Sequence, residues 1–140
     1  MYCIIIQLVY IPNRESHILM EKQKSNLTAN LKKATIEMLL LKLLSEEDMY
    51  GYQMSSELKK RSNGSYTILE GSMYPILYRL TDQKYISFFE KKVGKRQSRI
   101  YYHLETPGEK YLEEMKHSYS DYINCISFLL NSQKGDLYEP

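Results

Sequence analysis

Hydrophobic positions recur with the spacing of an α-helix along much of this chain. Residues 31–44 form the first such segment, which Thr28 or Asn30 can cap and which no Gly or Pro interrupts. Apolar side chains cover most of its circumference, so we expect this helix to be buried on more than one side. One side can pack on its own domain, and a second subunit is the simplest partner for the other.

Two shorter helices are predicted next. The first runs from about Tyr50 to Arg61 and has plausible core positions at Tyr52, Met54 and Leu58. The second runs from Ser72 to Gln83, and its apolar residues at i, i+3, i+4 and i+7 are Met73, Ile76, Leu77 and Leu80. Its opposite face carries Ser72, Tyr74, Tyr78 and Arg79. We expect Pro75 to lie early in this helix, where its missing N–H costs little.

A basic hairpin is predicted after these helices. Residues 86–91 and 100–104 are rich in β-formers and bracket a loop that contains Gly94, so we expect the turn near that glycine. From Lys84 to Arg99 the chain has six basic residues and one acid, although its net charge is only +2. A local basic patch of this kind is typical of a protein that touches a polyanion with one face. A solvated surface loop is the plainer interpretation.

The last helix has the most regular pattern in the chain. Thr106-Pro107-Gly108 is typical of a helix start, with Thr106 as the N-cap and Pro107 at the first position. Apolar residues then follow at alternating steps of three and four, which favours packing against another helix. This seam consists of Leu112, Met115, Tyr119, Tyr122, Ile126 and Leu129. We predict a dimerisation helix over residues 107–132 and a disordered tail over 133–140; the alternative is an amphipathic helix lying on its own domain.

The first 26 residues differ in character from the rest. Residues 1–11 are apolar but too short to span a bilayer, and they lack the basic region and cleavage site of a secretory signal. We expect residues 1–26 to be an atypical extension, either flexible or partly upstream of a natural start at Met20. The alternative is a strand or arm that packs on the body of the protein or on DNA.

Several classes of protein are excluded by the composition. Two cysteines, Cys3 and Cys125, form no disulfide framework and fit a reducing, cytoplasmic compartment. Three scattered histidines offer no metal-ligand spacing. We find no phosphate-binding glycine loop and no nucleophile–base pair, so we expect no cofactor and no enzymatic activity. No segment approaches the ~20 apolar residues of a membrane helix, and no membrane partner is expected.

Two helices followed by a basic hairpin predict a mainly α-helical, α+β fold: a winged helix-turn-helix over residues 27–106 with a C-terminal dimerisation helix. A short helix with a polar, aromatic front can enter the major groove, and a basic hairpin beside it can hold phosphates. Double-stranded DNA is therefore the expected partner. The alternative is a winged-helix module that binds another protein and has no specific affinity for DNA.

Four stretches in this order resemble the PadR family of bacterial transcriptional regulators. They are LLLKLL (39–44), YGYQM (50–54), EGSMYPILYRL (70–80) and GKRQSRIYYHLETPGEKYL (94–112). Ser72 and Met73 stand where the family often has threonine and leucine. The chain also has no tryptophan, a residue that many members carry in the first strand of the wing or in the effector pocket; Phe88 or Phe89 can take the place in the strand.

The resemblance implies a dimeric repressor that is released from its operator by a small molecule. It makes the helix from Ser72 to Gln83 the recognition helix, from which we expect Ser72, Tyr74, Tyr78 and Arg79 to face DNA. The alternative for Tyr74 is a structural role at the helix start, where its ring packs onto the wing. It makes residues 92–99 the wing, in which the expected DNA contacts are Lys92, Lys95, Arg96 and Arg99. Because a dimer has two-fold symmetry, the operator should be an inverted repeat.

A small aromatic or hydrophobic effector is expected where the first and last helices meet. The candidate effector pocket is lined by Met38, Leu41, Met115, Tyr119 and Tyr122. The alternative is a plain packed interface at the same place.

Overall fold

The computed structural model describes Ile18, residues 31–33 and residues 35–140. Ile18 and residues 31–33 are helical, and residues 35–140 form one unit of the chain. Some of the predictions fall outside the described residues, namely the start at Met20, the character of residues 1–26 and a helix cap at Thr28 or Asn30.

Four helices and three strands make up residues 35–140. In chain order they are α1 (35–44), β1 (Met49–Tyr50), α2 (Gly51–Arg61), α3 (Glu70–Asp82), β2 (Ile86–Lys92), β3 (Ser98–Leu104) and α4 (Thr106–Asn131). The predicted fold class is confirmed: helices dominate, the hairpin is present, and the last element is a long helix.

The sheet is antiparallel and has the strand order β1-β3-β2. The hairpin register pairs Ile86 with Leu104 at its base and Lys92 with Ser98 at its tip. The tip turns at Gly94, whose φ of 151° favours glycine, and the Val93 N–H closes the turn on the Gln97 carbonyl at 2.8 Å. The turn is therefore where the sequence predicted it.

The core lies between the three short helices and the inner face of the sheet. Because side chains alternate across a strand, Ile86, Tyr102 and Leu104 point to the same face, and all three are buried. Helices α1, α2 and α3 contribute further buried residues: Ile36, Leu40, Leu41, Leu43, Leu44, Met54, Leu58, Met73, Leu77 and Leu80. The core face predicted for α3 is confirmed, with Ile76 partly buried at its margin.

Strand β1 was missed because it has only two residues. Met49 pairs with Tyr102 and Tyr50 pairs with Tyr101, so Met49 enters the core and Tyr50 faces outward. The chain then turns directly into α2. The buried face of that helix is made by Gly51, Met54 and Leu58, and the prediction of a core position for Tyr52 is wrong, because its side chain is 63% exposed.

Two helix starts differ from their predicted positions. Helix α3 begins at Glu70, so Pro75 is its sixth residue and cannot donate the helical hydrogen bond to the Gly71 carbonyl. The prediction that the missing N–H of Pro75 costs little is therefore wrong. Helix α4 begins at Thr106, and Glu105 takes the N-cap position without a side-chain cap, so Thr106 is not the cap.

The start of α4 passes very close to the chain segment before β2. The Glu105 N–H donates to the Tyr85 carbonyl at 3.0 Å. A Cβ atom built on Gly108 would lie 2.1 Å from the same carbonyl oxygen and 2.7 Å from Leu104 Cδ1. Glycine is therefore the residue that allows α4 to approach the sheet this closely.

The segment after α4 carries local contacts that its polar sequence did not predict. The Gln133 N–H donates to Asp136 Oδ2 at 2.8 Å, and the Asp136 N–H donates to the Gln133 carbonyl at 3.1 Å. The rings of Phe128 and Tyr138 lie 5.5 Å apart. Among the described residues, no helix is long and apolar enough to cross a membrane.

Candidate nucleic-acid interface

The outer face of α3 is uncharged at its centre. Gly71, Ser72, Pro75 and Tyr78 are exposed there, and Tyr78 is 66% exposed. Of the four residues predicted for this face, Ser72 and Tyr78 lie on it in the open. Tyr74 and Arg79 lie on its two flanks and have partners in neighbouring elements. Pro75 was missed as a surface position because the prediction treated it only as a helix-start residue.

Tyr74 packs over the beginning of α2. A Cβ atom on Gly51 would meet the Tyr74 hydroxyl at 2.7 Å, so the glycine leaves room for this ring. The Tyr74 and Tyr78 rings are 6.4 Å apart. Burial, followed by the charge of Glu70, raises the pKa of Tyr74, and burial also raises the pKa of Tyr102. Both phenols therefore stay protonated at neutral pH and can donate hydrogen bonds.

A cleft of about 380 Å³ separates α3 from the hairpin. Its walls are Tyr50, Gly51, Tyr52, Tyr74, Tyr78, Arg99, Ile100 and Tyr102. Strand β1 ends at Tyr50, which pairs with Tyr101, and the chain continues as α2. Beyond Tyr101 no strand of the described residues covers this edge of β3, and the cleft lies there. The cleft brings two predicted α3 residues, Tyr74 and Tyr78, together with one predicted wing residue, Arg99.

The outward face of the sheet carries cations over aromatic rings. Arg99 lies over the Tyr50 ring at 4.5 Å, and Lys91 lies over the Tyr101 ring at 5.3 Å. Lys91 and Arg99 are directly opposite each other in the hairpin register. Like charges so placed destabilise a sheet, and the rings offset part of that repulsion. Lys91 therefore lies among the predicted wing residues. The signal that could have identified it is the hairpin register, because a turn at Gly94 places Lys91 opposite Arg99.

Five cations of the hairpin have no carboxylate partner among the residues that the structure describes. They are Lys91, Lys92, Lys95, Arg96 and Arg99. The acid of the hairpin, Glu90, accepts a hydrogen bond from the Ser98 hydroxyl instead. On α2, by contrast, Arg61 contacts both Glu46 and Glu57. The positive charge of the hairpin is therefore open to an external anion.

Arg79 is paired within the protein. Its Nη2 donates to Glu37 of α1, and the second Glu37 oxygen accepts from the Tyr111 hydroxyl of α4 at 3.1 Å. The Arg79 side chain is nevertheless 55% exposed. The sequence could not show this partner, because 42 residues separate Arg79 from Glu37.

A second long-range ion pair joins the sheet to the loop before it. His103 Nδ1 lies 2.6 Å from Asp48 Oδ1. The hydrogen bond to Asp48 is the main cause that raises the pKa of His103, and the charges of Glu105 and Glu109 add to it. This pair was not predicted. No group of His, Cys, Asp and Glu side chains that could hold a metal ion is found among the described residues.

The predicted seam of α4 is divided between the core and the surface. Leu112 is 3% exposed and lies in the core, whereas Tyr119 is 46%, Tyr122 is 68% and Leu129 is 63% exposed. Met115 and Ile126 are partly buried. Of the residues predicted for an effector pocket, Leu41 is in the core, and Met38 and Met115 pack against it. The cleft described above is lined by other residues.

A helix pair followed by a β-hairpin with a basic tip defines a winged helix-turn-helix protein, a class that includes many DNA-binding regulators. The family model "Transcriptional regulator PadR-like family" matches residues 40–114. The chain therefore belongs to the PadR-like family of transcriptional regulators, as the sequence motifs predicted.

Individual relatives agree with this assignment. A PadR-like transcriptional regulator from Bacillus cereus is 33% identical, with a TM-score of 0.63 over 74% of this chain and 99% of that one. A PadR family regulator from Eggerthella lenta shares the fold, with a TM-score of 0.75, 23% identity and coverage of 83% and 99%. Transcriptional regulator YqjI of Escherichia coli is 32% identical over 79 residues, which are 56% of this chain and 36% of YqjI.

The chain thus spans about a third of YqjI but most of the two solved regulators. The family is one of transcriptional regulators, and the prediction that the chain is not an enzyme is confirmed by this membership. DNA-binding regulation is the function that the family implies.

Proposed function

We propose that this protein is a dimeric, cytoplasmic repressor that binds an inverted-repeat operator through α3 and the hairpin. The observation that carries the proposal is the placement of five hairpin cations, none with a carboxylate partner among the described residues, beside the outer face of α3, where Ser72 and Tyr78 are exposed. DNA supplies the anion that these side chains lack, because phosphate contacts dominate the affinity of DNA-binding proteins.

The two surfaces contribute differently to binding in this proposal. Lys95 and Arg96 at the hairpin tip, with Lys92 and Arg99 on its strands, contact phosphates and supply affinity. The outer face of α3 presents Ser72, Tyr78 and Arg79 but no Asn or Gln, so Arg79 is the one residue of this face that can make bidentate contacts to bases. The sequence-dependent shape of the DNA then supplies part of the specificity.

Dimerisation follows from the exposed part of the α4 seam. Tyr119, Tyr122 and Leu129 lie on one side of the helix and are exposed in the single chain. A second copy of α4 packed along this side covers them, as the heptad spacing favours. In this arrangement residues 27–106 act as the DNA-binding domain and residues 107–132 as the dimerisation helix. The two-fold axis then requires two half-sites about one helical turn apart.

A small aromatic or hydrophobic effector releases the operator in this proposal. It acts by binding one arrangement of the two DNA-binding domains better than the other. The partly buried Met38 and Met115, with the exposed Tyr119 and Tyr122, offer apolar contacts for such a ligand once α4 has its partner.

The test is fluorescence anisotropy on DNA from upstream of the protein's own gene, titrated against salt and an unrelated competitor. We expect tight, competitor-resistant binding that weakens steeply with salt. Replacing Lys95 and Arg96 together by Ala should flatten the slope of log affinity against log salt by about two units. The matched control replaces Lys42 and Lys134 by Ala, which removes the same charge away from the hairpin and should leave the slope unchanged.

Equal, weak binding to both DNAs with no salt dependence would contradict the proposal. It would favour a winged helix that binds another protein. An unchanged salt slope in the Lys95 and Arg96 variant would remove the hairpin from the mechanism but leave α3 in place.

A further inference from the structure

Glu37 lies where three helices meet. Its carboxylate belongs to α1, one oxygen accepts from Arg79 of α3, and the other accepts from Tyr111 of α4 at 3.1 Å. The Glu37 side chain is only 14% exposed. Both carboxylate oxygens thus accept hydrogen bonds from protein donors at a site with little solvent exposure, which fixes the orientation of the carboxylate.

Arg79 keeps most of its donors free of this contact. A guanidinium carries five N–H donors in a rigid plane, and the contact with Glu37 uses Nη2. Within residues 35–140, Arg79 has no other carboxylate partner, and its side chain is 55% exposed. The remaining donors can therefore form the two parallel hydrogen bonds with which arginine binds a phosphate or a guanine.

Tyr111 is itself held in place. Its ring stacks on that of Tyr85 with the centroids 4.4 Å apart and the planes 14° from parallel. Burial, followed by the charge of Glu37, raises the pKa of Tyr111, so its hydroxyl remains a donor at neutral pH. A continuous set of contacts therefore runs from α4 through Tyr111 and Glu37 to Arg79 on the DNA-facing helix.

We propose that Glu37 and Tyr111 are positioning residues for Arg79, and that they transmit the position of α4 to the DNA-contacting donors of α3. This inference rests on the proposed function and adds to it a residue-level link between the dimerisation helix and DNA recognition. A free arginine side chain loses many rotamers when it binds DNA. One that is already held by a carboxylate loses fewer, which strengthens binding without a new contact.

The link also has a direction. If α4 turns or slides so that the Tyr111 hydroxyl leaves Glu37, the carboxylate loses one of its two donors and is no longer fixed. Arg79 then retains its charge but not its orientation. General attraction to DNA is preserved, whereas discrimination of the operator from other DNA falls.

The test uses Tyr111→Phe, which removes the hydroxyl and keeps the stacked ring, and Glu37→Gln, which keeps the shape of the side chain and removes its charge. Tyr85→Phe is the matched control, because it alters the other ring of the stack without touching Glu37. Each change is made in the wild-type chain and again with Arg79→Gln. Affinity for operator and for unrelated DNA is measured at one salt concentration, and unfolding is followed in urea.

We expect operator affinity to fall about two- to threefold for Tyr111→Phe and about three- to tenfold for Glu37→Gln, as for residues in one hydrogen-bonded network. Affinity for unrelated DNA should stay unchanged, as should both affinities of Tyr85→Phe. With Arg79→Gln already present, neither substitution should weaken operator binding further. Tyr111→Phe is the decisive variant if Glu37→Gln lowers stability, because it leaves the carboxylate in place.

Two outcomes would overturn the inference alone. One is wild-type operator affinity in both Tyr111→Phe and Glu37→Gln. The other is a loss of the same size with and without Arg79→Gln, which is what a purely structural role produces. Failure of the wild-type chain to prefer any operator would instead overturn the proposed function, and this inference with it.

Discussion

Replacing Gly108 by Ala should destabilise the protein strongly, although it places a better helix former in a helix. The added Cβ would lie 2.1 Å from the Tyr85 carbonyl oxygen and 2.9 Å from its carbon, whereas ordinary van der Waals contacts are 3.4–4 Å long. These are backbone atoms, so neither side can yield by a simple change of rotamer. Helix α4 must move away from the sheet.

The expected magnitude combines three effects. Overpacking costs roughly 1–3 kcal/mol. The displaced Tyr85 carbonyl also accepts from the Glu105 N–H, and weakening that bond costs roughly 0.5–1.5 kcal/mol. The higher helix propensity of Ala relative to Gly offsets about 1 kcal/mol of this loss. The net loss is about 0.5–3.5 kcal/mol, centred near ~2 kcal/mol, which lowers the melting temperature of a chain this size by roughly 2–12 °C.

The assay is urea unfolding followed by circular dichroism at one fixed chain concentration, because the proposed dimerisation would make the midpoint depend on concentration. Gly71→Ala is the matched control: Gly71 is also helical, but nothing lies within 4 Å of an added Cβ. It should stabilise the protein by about 0.5–1 kcal/mol. If the two substitutions shift the midpoint equally, the close approach of α4 to Tyr85 is not a constraint on the fold.

Three further predictions concern a turn, an ion pair and the seam. Lys84 follows α3 with a φ of 64°, a left-handed conformation that glycine adopts more readily, so Lys84→Gly should raise the free energy of unfolding by about 1 kcal/mol. A lower free energy of unfolding, measured in urea, would contradict this conformation. The hydrogen bond to Asp48 raises the pKa of His103 from its ordinary value of 6.5. The ion pair therefore stabilises the fold fully below pH 6.5, and this contribution is lost as the pH rises through the raised pKa of the folded state. The melting-temperature gap between wild type and Asp48→Asn should therefore be larger at pH 5.5 than at pH 8.5, and equal gaps would refute it. Tyr122→Asp should be monomeric in sedimentation, while Asn124→Asp, which makes the same charge change off the seam, should remain a dimer. The same oligomeric state in both variants would argue against this seam.

Local patterns predicted much of this fold from the sequence. The i, i+3, i+4, i+7 spacing that buries Met73, Leu77 and Leu80 depends only on helix geometry, and the hairpin turn at Gly94 depends only on the residues beside it. Strand β1 could not be found in this way. Two residues have no measurable alternation, and Met49 becomes a strand residue only because Tyr102 lies beside it.

The candidate interface was predictable in composition but not in its pairings. The basic hairpin and the aromatic face of α3 are visible in the sequence, whereas the burial of Tyr74 depends on the space left by Gly51 in another helix. The partner of Arg79 likewise depends on how α1 packs. Tyr52 shows the opposite error: it is aromatic, but it lies two positions before Met54 and so on the other side of the helix. Gly51, Met54 and Leu58 have the i, i+3, i+7 spacing and form the buried face.

Leu112 is buried in the core, whereas Tyr119, Tyr122 and Leu129 further along α4 are exposed. The helix is therefore anchored to the body of the protein near one end. It has 26 residues, of which 19 follow Leu112, so at 1.5 Å per residue about 28 Å of helix projects beyond the anchor. A rotation of about 5° at Leu112 then displaces the far end by roughly 2.5 Å, by the same geometry. In the proposed dimer, held together along α4, the same angle acts in reverse on the two hairpins, whose separation must match the helical repeat of the DNA. Small changes of tilt at Leu112 would therefore become ångström-scale changes in the fit to the two proposed half-sites.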